Sequence, residues 1–179
     1  MSKKIIGVKN INNQVVSIKK DKEISNKSLT KQFEKYDISL NNLFDQTKHL
    51  PLINKLYFDE TFNEKQILIS NLKKRLNSYK QQDVKKNRFN KEKFITFETL
   101  IELLLISKLR CHYCKKKCCL FYKNAREKTM WTLDRINNDI GHYGDNVVIG
   151  CLACNLQKRR RGDEAFKFAK QLIVKKNIF

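Results

Sequence analysis

The sequence predicts an α+β fold, in which a small strand–loop–strand–helix unit is flanked by helices and preceded by a basic arm. Three observations predict it. Two Cys-x-x-Cys pairs, Cys111/Cys114 and Cys151/Cys154, have 36 residues between them. Two short apolar runs with strand character lie between them, and segments with helical periodicity lie on either side.

The C-terminal half carries most of this pattern. Trp131-Thr132-Leu133-Asp134-Arg135-Ile136 reads as a short alternating strand. A polar loop from Asn137 to Asp145 leads into a second strand, Asn146-Val147-Val148-Ile149-Gly150. The second cysteine pair then opens a helix through Asn155 to Arg159. Each Cys-x-x-Cys can form a knuckle, and two knuckles offer four thiolates in tetrahedral array to one Zn²⁺. A unit this small buries little surface alone, so zinc is expected to supply part of its folding energy. Cys118 and Cys119 could replace one ligand or lie on the next strand. A thioredoxin-like redox reading lacks its βαβ context.

The flanking helices follow from periodicity. Leu68, Leu72, Leu76 and Tyr79 recur at spacings of four, four and three, which predicts a helix over 61–82 with Lys65, Lys73, Lys74 and Lys80 off its stripe. It is either a packing helix with a solvated face or a basic helix along a phosphate backbone. Lys85-Lys86-Asn87-Arg88 reads as a polar connector. A second helix over 97–108, with Thr96 as N-cap and Leu100, Leu103, Leu104 and Ile106 inside, is apolar nearly all round and therefore expected to be buried. A third, over 163–175, takes Asp163 as its N-cap and sets Ala165, Phe166, Ala169, Leu172 and Ile173 on one face. Pro51 marks a turn. The chain thus divides into a loosely ordered basic arm (1–50), a helical basic segment (51–90) and a zinc-bound domain (91–179).

Charge narrows the function. Among 179 residues, 38 are Lys or Arg and 18 are Asp or Glu, a formal net charge of +20 shared equally by the two halves. Such self-repulsion costs stability and points to a polyanionic partner. The N-terminus lacks the apolar core of a secretory signal, and the longest apolar run, Leu100–Ile106, is too short for a bilayer and contains Glu102. An intracellular location, cytoplasm or nucleus, is expected, with no membrane partner. In a reducing compartment six cysteines favour metal over disulfides.

The ordered string Leu133-Asp134-Arg135-Ile136, Gly141-His142, Asp145-Asn146-Val147-Val148 and Cys151-x-x-Cys154-Asn155 resembles the HNH (ββα-metal, His-Me finger) endonucleases. Within them it is most similar to the zinc-containing, endonuclease VII-like branch of phages and large DNA viruses. The resemblance covers about 45 residues, Cys111–Asn155, and more loosely residues 78–165. It implies a zinc-stapled ββα-metal core and a metal-dependent hydrolase of DNA phosphodiesters. It further implies Asp134 and Asn155 as ligands of a catalytic Mg²⁺ or Mn²⁺, with Asn146 bracing the loop. Cys111, Cys114, Cys151 and Cys154 would hold structural Zn²⁺ away from the chemistry. Hard oxygens suit the first metal and thiolates the second.

One position departs from the family. Its general-base histidine is here Arg135, whose guanidinium stays protonated and cannot take a proton from water. Arg135 can still clamp the scissile phosphate. His142 is then the candidate base, with a loop-structuring hydrogen bond as its alternative; Tyr143 and Tyr113 are weaker candidates. Downstream, Lys158-Arg159-Arg160-Arg161 cannot all share one helical face, so at least two are expected to reach phosphates. Three rivals accompany the DNA endonuclease: a non-catalytic zinc-containing DNA-binding protein on a degenerate HNH scaffold, a nuclease for branched DNA, and an RNA nuclease. A homodimer would suit cleavage of both strands.

Overall fold

A computed structural model describes residues 43–123 and 126–172. The expected basic arm lies outside them except for its last eight residues. The described chain is α+β, with five helices and one two-stranded antiparallel sheet.

Helix α1, Gln46–Tyr57, begins inside the stretch expected to be loose arm. Asp45 caps it, accepting from Thr47 N at 2.9 Å. Pro51 sits within the helix and not at a turn. Proline forfeits one helical hydrogen bond, but its ring is exposed while Leu52, Ile53 and Leu56 are buried, so packing prevails. His49 is fully buried and ties α1 to the rest: Nε2 is 3.0 Å from Leu43 O, and Nδ1 accepts from Leu120 N at 3.0 Å.

Helix α2, Lys65–Lys85, starts and ends later than the periodicity predicts. Its stripe faces inward, with Leu68 and Leu72 buried and Leu76 and Tyr79 packed against the core. Helix α3, Phe97–Ile106, has Thr96 as its N-cap, accepting from Thr99 N at 3.1 Å. Leu100, Ile101 and Leu104 are buried, but Ile106 is 76% exposed, so α3 is not enclosed on every side.

Strands β1 (Trp131–Arg135) and β2 (Val147–Cys151) pair in register Trp131↔Cys151 through Arg135↔Val147. The first four residues of β1 are all buried, which a strand with one wet face would not show. Helix α2 covers the outer edge of β1. Tyr79 Oη accepts from Leu133 N at 2.9 Å, and Arg75 donates to Trp131 O while its guanidinium lies 4.4 Å from the indole centroid. An unpaired strand edge is thereby satisfied by side chains.

Helix α4, Leu152–Lys158, follows β2 directly, and α5 spans Asp163–Gln171. Gly162, not Asp163, is the N-cap of α5, because the Asp163 carboxylate is drawn inward to other partners described below. The expected apolar face also shifts. Phe166 is buried, whereas Ala165, Ala169 and Leu172 are exposed and Ile173 lies outside the described residues. The face that docks carries Asp163, Phe166 and Lys170, spaced by three and four residues.

Candidate functional site

The four cysteines converge. Cys111 and Cys114 lie on the turn before β1, Cys151 ends β2, and Cys154 is in the first turn of α4. Their sulfurs lie within 4.8 Å of one another and could hold a metal ion such as zinc. Three are buried and Cys114 is half-buried. A hydrogen bond from Cys151 draws the Cys111 thiol down, while that same bond and burial push Cys151 up, so the four thiols do not share charge evenly. A divalent cation removes this conflict by stabilising thiolates on all four. Cys118 is buried beside the group but is not one of the four, and burial raises its thiol.

One face of the hairpin, turned toward α4 and α5, holds Thr132 and Asp134. Asp134 is 7% exposed. Its Oδ2 lies 2.6 Å from Tyr113 Oη and 3.3 Å from the ammonium of Lys158. Tyr113 Oη is also 2.8 Å from Asp163 Oδ1, and Lys158 Nζ is 3.7 Å from that oxygen. Tyr113 has one proton to donate, so it serves one carboxylate at a time, and the ammonium offsets the other. Burial, then the two carboxylates, pushes the phenol well above its usual range, which keeps it a donor. His112 Nε2 lies 3.1 Å from the other oxygen of Asp163. Asn155 is on the same face, and its amide donates to Thr132 Oγ1 at 3.1 Å.

Lys158 corrects the sequence reading. Expected among the phosphate-reaching cations, it is the last residue of α4 and fully buried. Its ammonium donates to Arg135 O at 2.5 Å and lies 3.5 Å from Ile136 O. A run of four cations on a short helix end must send one inward, and the carboxylates determine which. The next residue, Arg159, is the C-cap at φ 52°, a left-handed turn that ends α4 and redirects the chain. Asn138 Nδ2 donates to Arg159 O at 2.7 Å, tying the β1–β2 loop to that turn.

Arg159, Arg160 and Arg161 are exposed and, with Lys86, Arg88 and Arg135, line an open cleft of about 740 Å³. Asp139 is the one acid in its wall. Arg135 Nη1 is 3.3 Å from Ile140 O and 3.8 Å from Asp83 Oδ1. Burial, then the nearby Arg88, lowers the guanidinium's value, but an arginine stays charged at any working pH.

Asp83 is the residue that sequence reasoning missed, one position beyond the predicted end of its helix. Fully buried on α2, it accepts from His142 N at 2.6 Å and faces His142 Nδ1 at 2.8 Å. A signal was present. An acid in the last turn of a lysine-rich helix sits at the negative end of the dipole and calls for a partner elsewhere. His142 is 3% exposed, and burial holds it below its ordinary value against the opposing pull of Asp83. This geometry supports the loop-holding role for His142 over that of a base. Asn146 works in the same loop: Oδ1 accepts from Asn137 N, and Nδ2 donates to Asn137 O and Gly141 O, all at 2.9 Å.

The structure therefore brings Asp134 and Asn155 to one face, and Arg135 with Arg159–Arg161 to a cleft. It separates Lys158 from its three neighbours. No family model matches the chain, and no solved structure matches it. It is similar to an uncharacterized protein, R423, of Acanthamoeba polyphaga mimivirus, with 39% identity over 70 residues. Those residues are 39% of this chain and 11% of the viral protein, so the chain spans a small part of that relative. Among the described residues no helix is long and apolar enough to cross a membrane.

Proposed function

We propose that this protein binds nucleic acid through the Arg135 cleft and hydrolyses phosphodiester bonds in DNA, as a zinc-stapled endonuclease of HNH type. The observation that carries the reading is the cleft itself. Six cations line it and one acid opposes them, at the tip of a hairpin clamped by four converging cysteines. Cations this close repel one another, and a phosphate backbone relieves the repulsion while releasing counterions. Arg135, permanently charged, lines this cleft and would hold a phosphate there and offset charge developing on it. Zn²⁺ on Cys111, Cys114, Cys151 and Cys154 would tie the turn at Cys111–Cys114 to the end of β2 and the first turn of α4, and would take no part in the chemistry.

The resemblance also implies Mg²⁺ or Mn²⁺ on Asp134 and Asn155. As arranged, these residues do not fit a divalent ion. Asp134 Oδ2 is engaged by Tyr113 and Lys158, and the Asn155 amide is turned to Thr132. The same observation favours the second reading, a zinc-containing nucleic-acid-binding protein without activity.

Nicking of supercoiled plasmid across a Mg²⁺ and Mn²⁺ titration separates the two. The endonuclease nicks, and Asp134→Ala and Asn155→Ala abolish nicking while zinc content and DNA binding persist. Salt-sensitive binding without nicking at any metal concentration would establish the binder instead. Branched DNA and RNA belong in the same panel, since a protein cutting only one of them would correct the substrate and keep the reaction.

A further inference from the structure

We propose that Lys158 is the resident cation of the Asp134 site and competes there with any divalent metal. The inference rests on the endonuclease reading only for where a metal would go. Its own support is the surroundings of one ammonium. Nζ of the fully buried Lys158 is enclosed by Arg135 O, Asp134 Oδ2, Ile136 O and Asp163 Oδ1 at 2.5, 3.3, 3.5 and 3.7 Å. These are hard oxygens from β1, the loop after it and α5, the donor type that suits Mg²⁺ or Mn²⁺.

A buried ammonium carries a large desolvation cost and persists only where such oxygens repay it. The repayment here is specific to charge. Two carboxylates on one phenol need a cation beside them, because the single phenol proton cannot satisfy both. A divalent ion arriving at Asp134 meets a like charge about one hydrogen-bond length away. It binds only if Lys158 leaves, and Lys158 is tethered to α4, so its local concentration never falls. The competitor is therefore built into the chain, and weak metal binding follows in the protein as it stands.

Just after the inward Lys158, Arg159 ends α4 at a positive φ of 52°, and Arg159, Arg160 and Arg161 line the cleft.

The test measures Mn²⁺ binding to the zinc-loaded full chain, without nucleic acid, by electron paramagnetic resonance of free Mn²⁺. Lys158→Met should bind at least roughly tenfold more tightly than the parent, because the competing charge is gone. Lys158→Arg keeps the charge and should bind no better than the parent, and adding Asp134→Asn to Lys158→Met should erase the gain. Equal affinity in the parent and Lys158→Met, including no binding in both, overturns the proposal. If Lys158→Met fails to fold, the parent decides by nuclear magnetic resonance of its lysine ammonium groups. The slowly exchanging Lys158 signal, assigned by its loss in Lys158→Arg, should shift or broaden as Mg²⁺ is added, and an unaltered signal overturns the proposal. Nicking enters neither measurement, so a protein that never cuts DNA can still pass, and one that cuts can fail.

Discussion

Asp134 and Arg135 are neighbours on one strand, yet they belong to regions built on opposite terms. On the Asp134 side the carboxylates of Asp134 and Asp163 are closed in around the buried Lys158 ammonium, with Tyr113 between them and His112 within hydrogen-bond distance of Asp163. On the Arg135 side six cations line an open cleft with Asp139 as the one acid in its wall, and Arg135 reaches the buried Asp83 behind it at 3.8 Å. Strand geometry makes this separation possible, since successive side chains leave β1 on opposite faces. Charges taken out of water persist only where the folded chain pairs them, so the Asp134 side contributes to structure. Cations crowded at a surface cost stability and a polyanion would relieve that cost, which is the ground on which the other side is proposed to bind nucleic acid.

The strongest way to break the comparison is to remove what both sides share. If the four cysteines hold zinc, chelating it, or replacing Cys114 or Cys151 by serine, should abolish cooperative unfolding of the half that carries them, since structural zinc sites contribute about 10–16 kcal/mol in small domains. Circular dichroism and metal analysis check this, with about one Zn²⁺ per chain in the parent. A chelated protein that keeps its fold would remove the staple from the account.

Asp83 anchors the open side to α2. Asp83→Ala leaves His142 N and Nδ1 without their acceptor and should cost about 1–3 kcal/mol for each buried donor left unsatisfied. Urea denaturation measures it, and a loss near that of a surface substitution would deny Asp83 this role. Gly141 sits against the same anchor. A Cβ there would lie 2.6 Å from Arg88 O and 2.9 Å from Asp83 Oδ2, so Gly141→Ala should cost about 1–3 kcal/mol through forced displacement of the loop.

Acid should loosen the scaffold through its buried imidazoles. Burial holds His49 and His142 below the ordinary 6.5, so the unfolded chain takes up protons first. Stability is therefore full above that value and falls as pH drops through it. His49 adds a geometric reason, since a protonated ring cannot accept from Leu120 N. Denaturant midpoints between neutral and mildly acidic pH test the slope, and a flat profile would mean the rings are solvated.

The smallest effect on stability belongs to the cleft. Replacing Arg159, Arg160 and Arg161 together by alanine should change stability little, within about 0.5 kcal/mol per site. It should flatten the log–log salt dependence of duplex binding by on the order of two units. The same substitutions with an unchanged slope would show that the open side does not meet phosphate.

Short-range signals made much of this architecture legible. The spacing of the cysteines, the two apolar runs and the Thr96 cap depend on residues within a turn or a strand of one another, and the structure carries each. The stripe on α2 was legible for the same reason. Local signals failed where distant parts compete for one side chain. Asp163 looks like an N-cap to its own helix, but Tyr113, 50 residues away, takes its carboxylate. Pro51 looks like a turn until the buried Leu52, Ile53 and Leu56 are seen to hold α1 through it. Asp83 meets His142 across 59 residues, a pairing that no periodicity encodes. In the basic run, sequence alone determined that four cations could not share one face. Only the tertiary structure decided that Lys158 goes inward, because burying a cation depends on where the chain has already gathered carboxylates and free carbonyls.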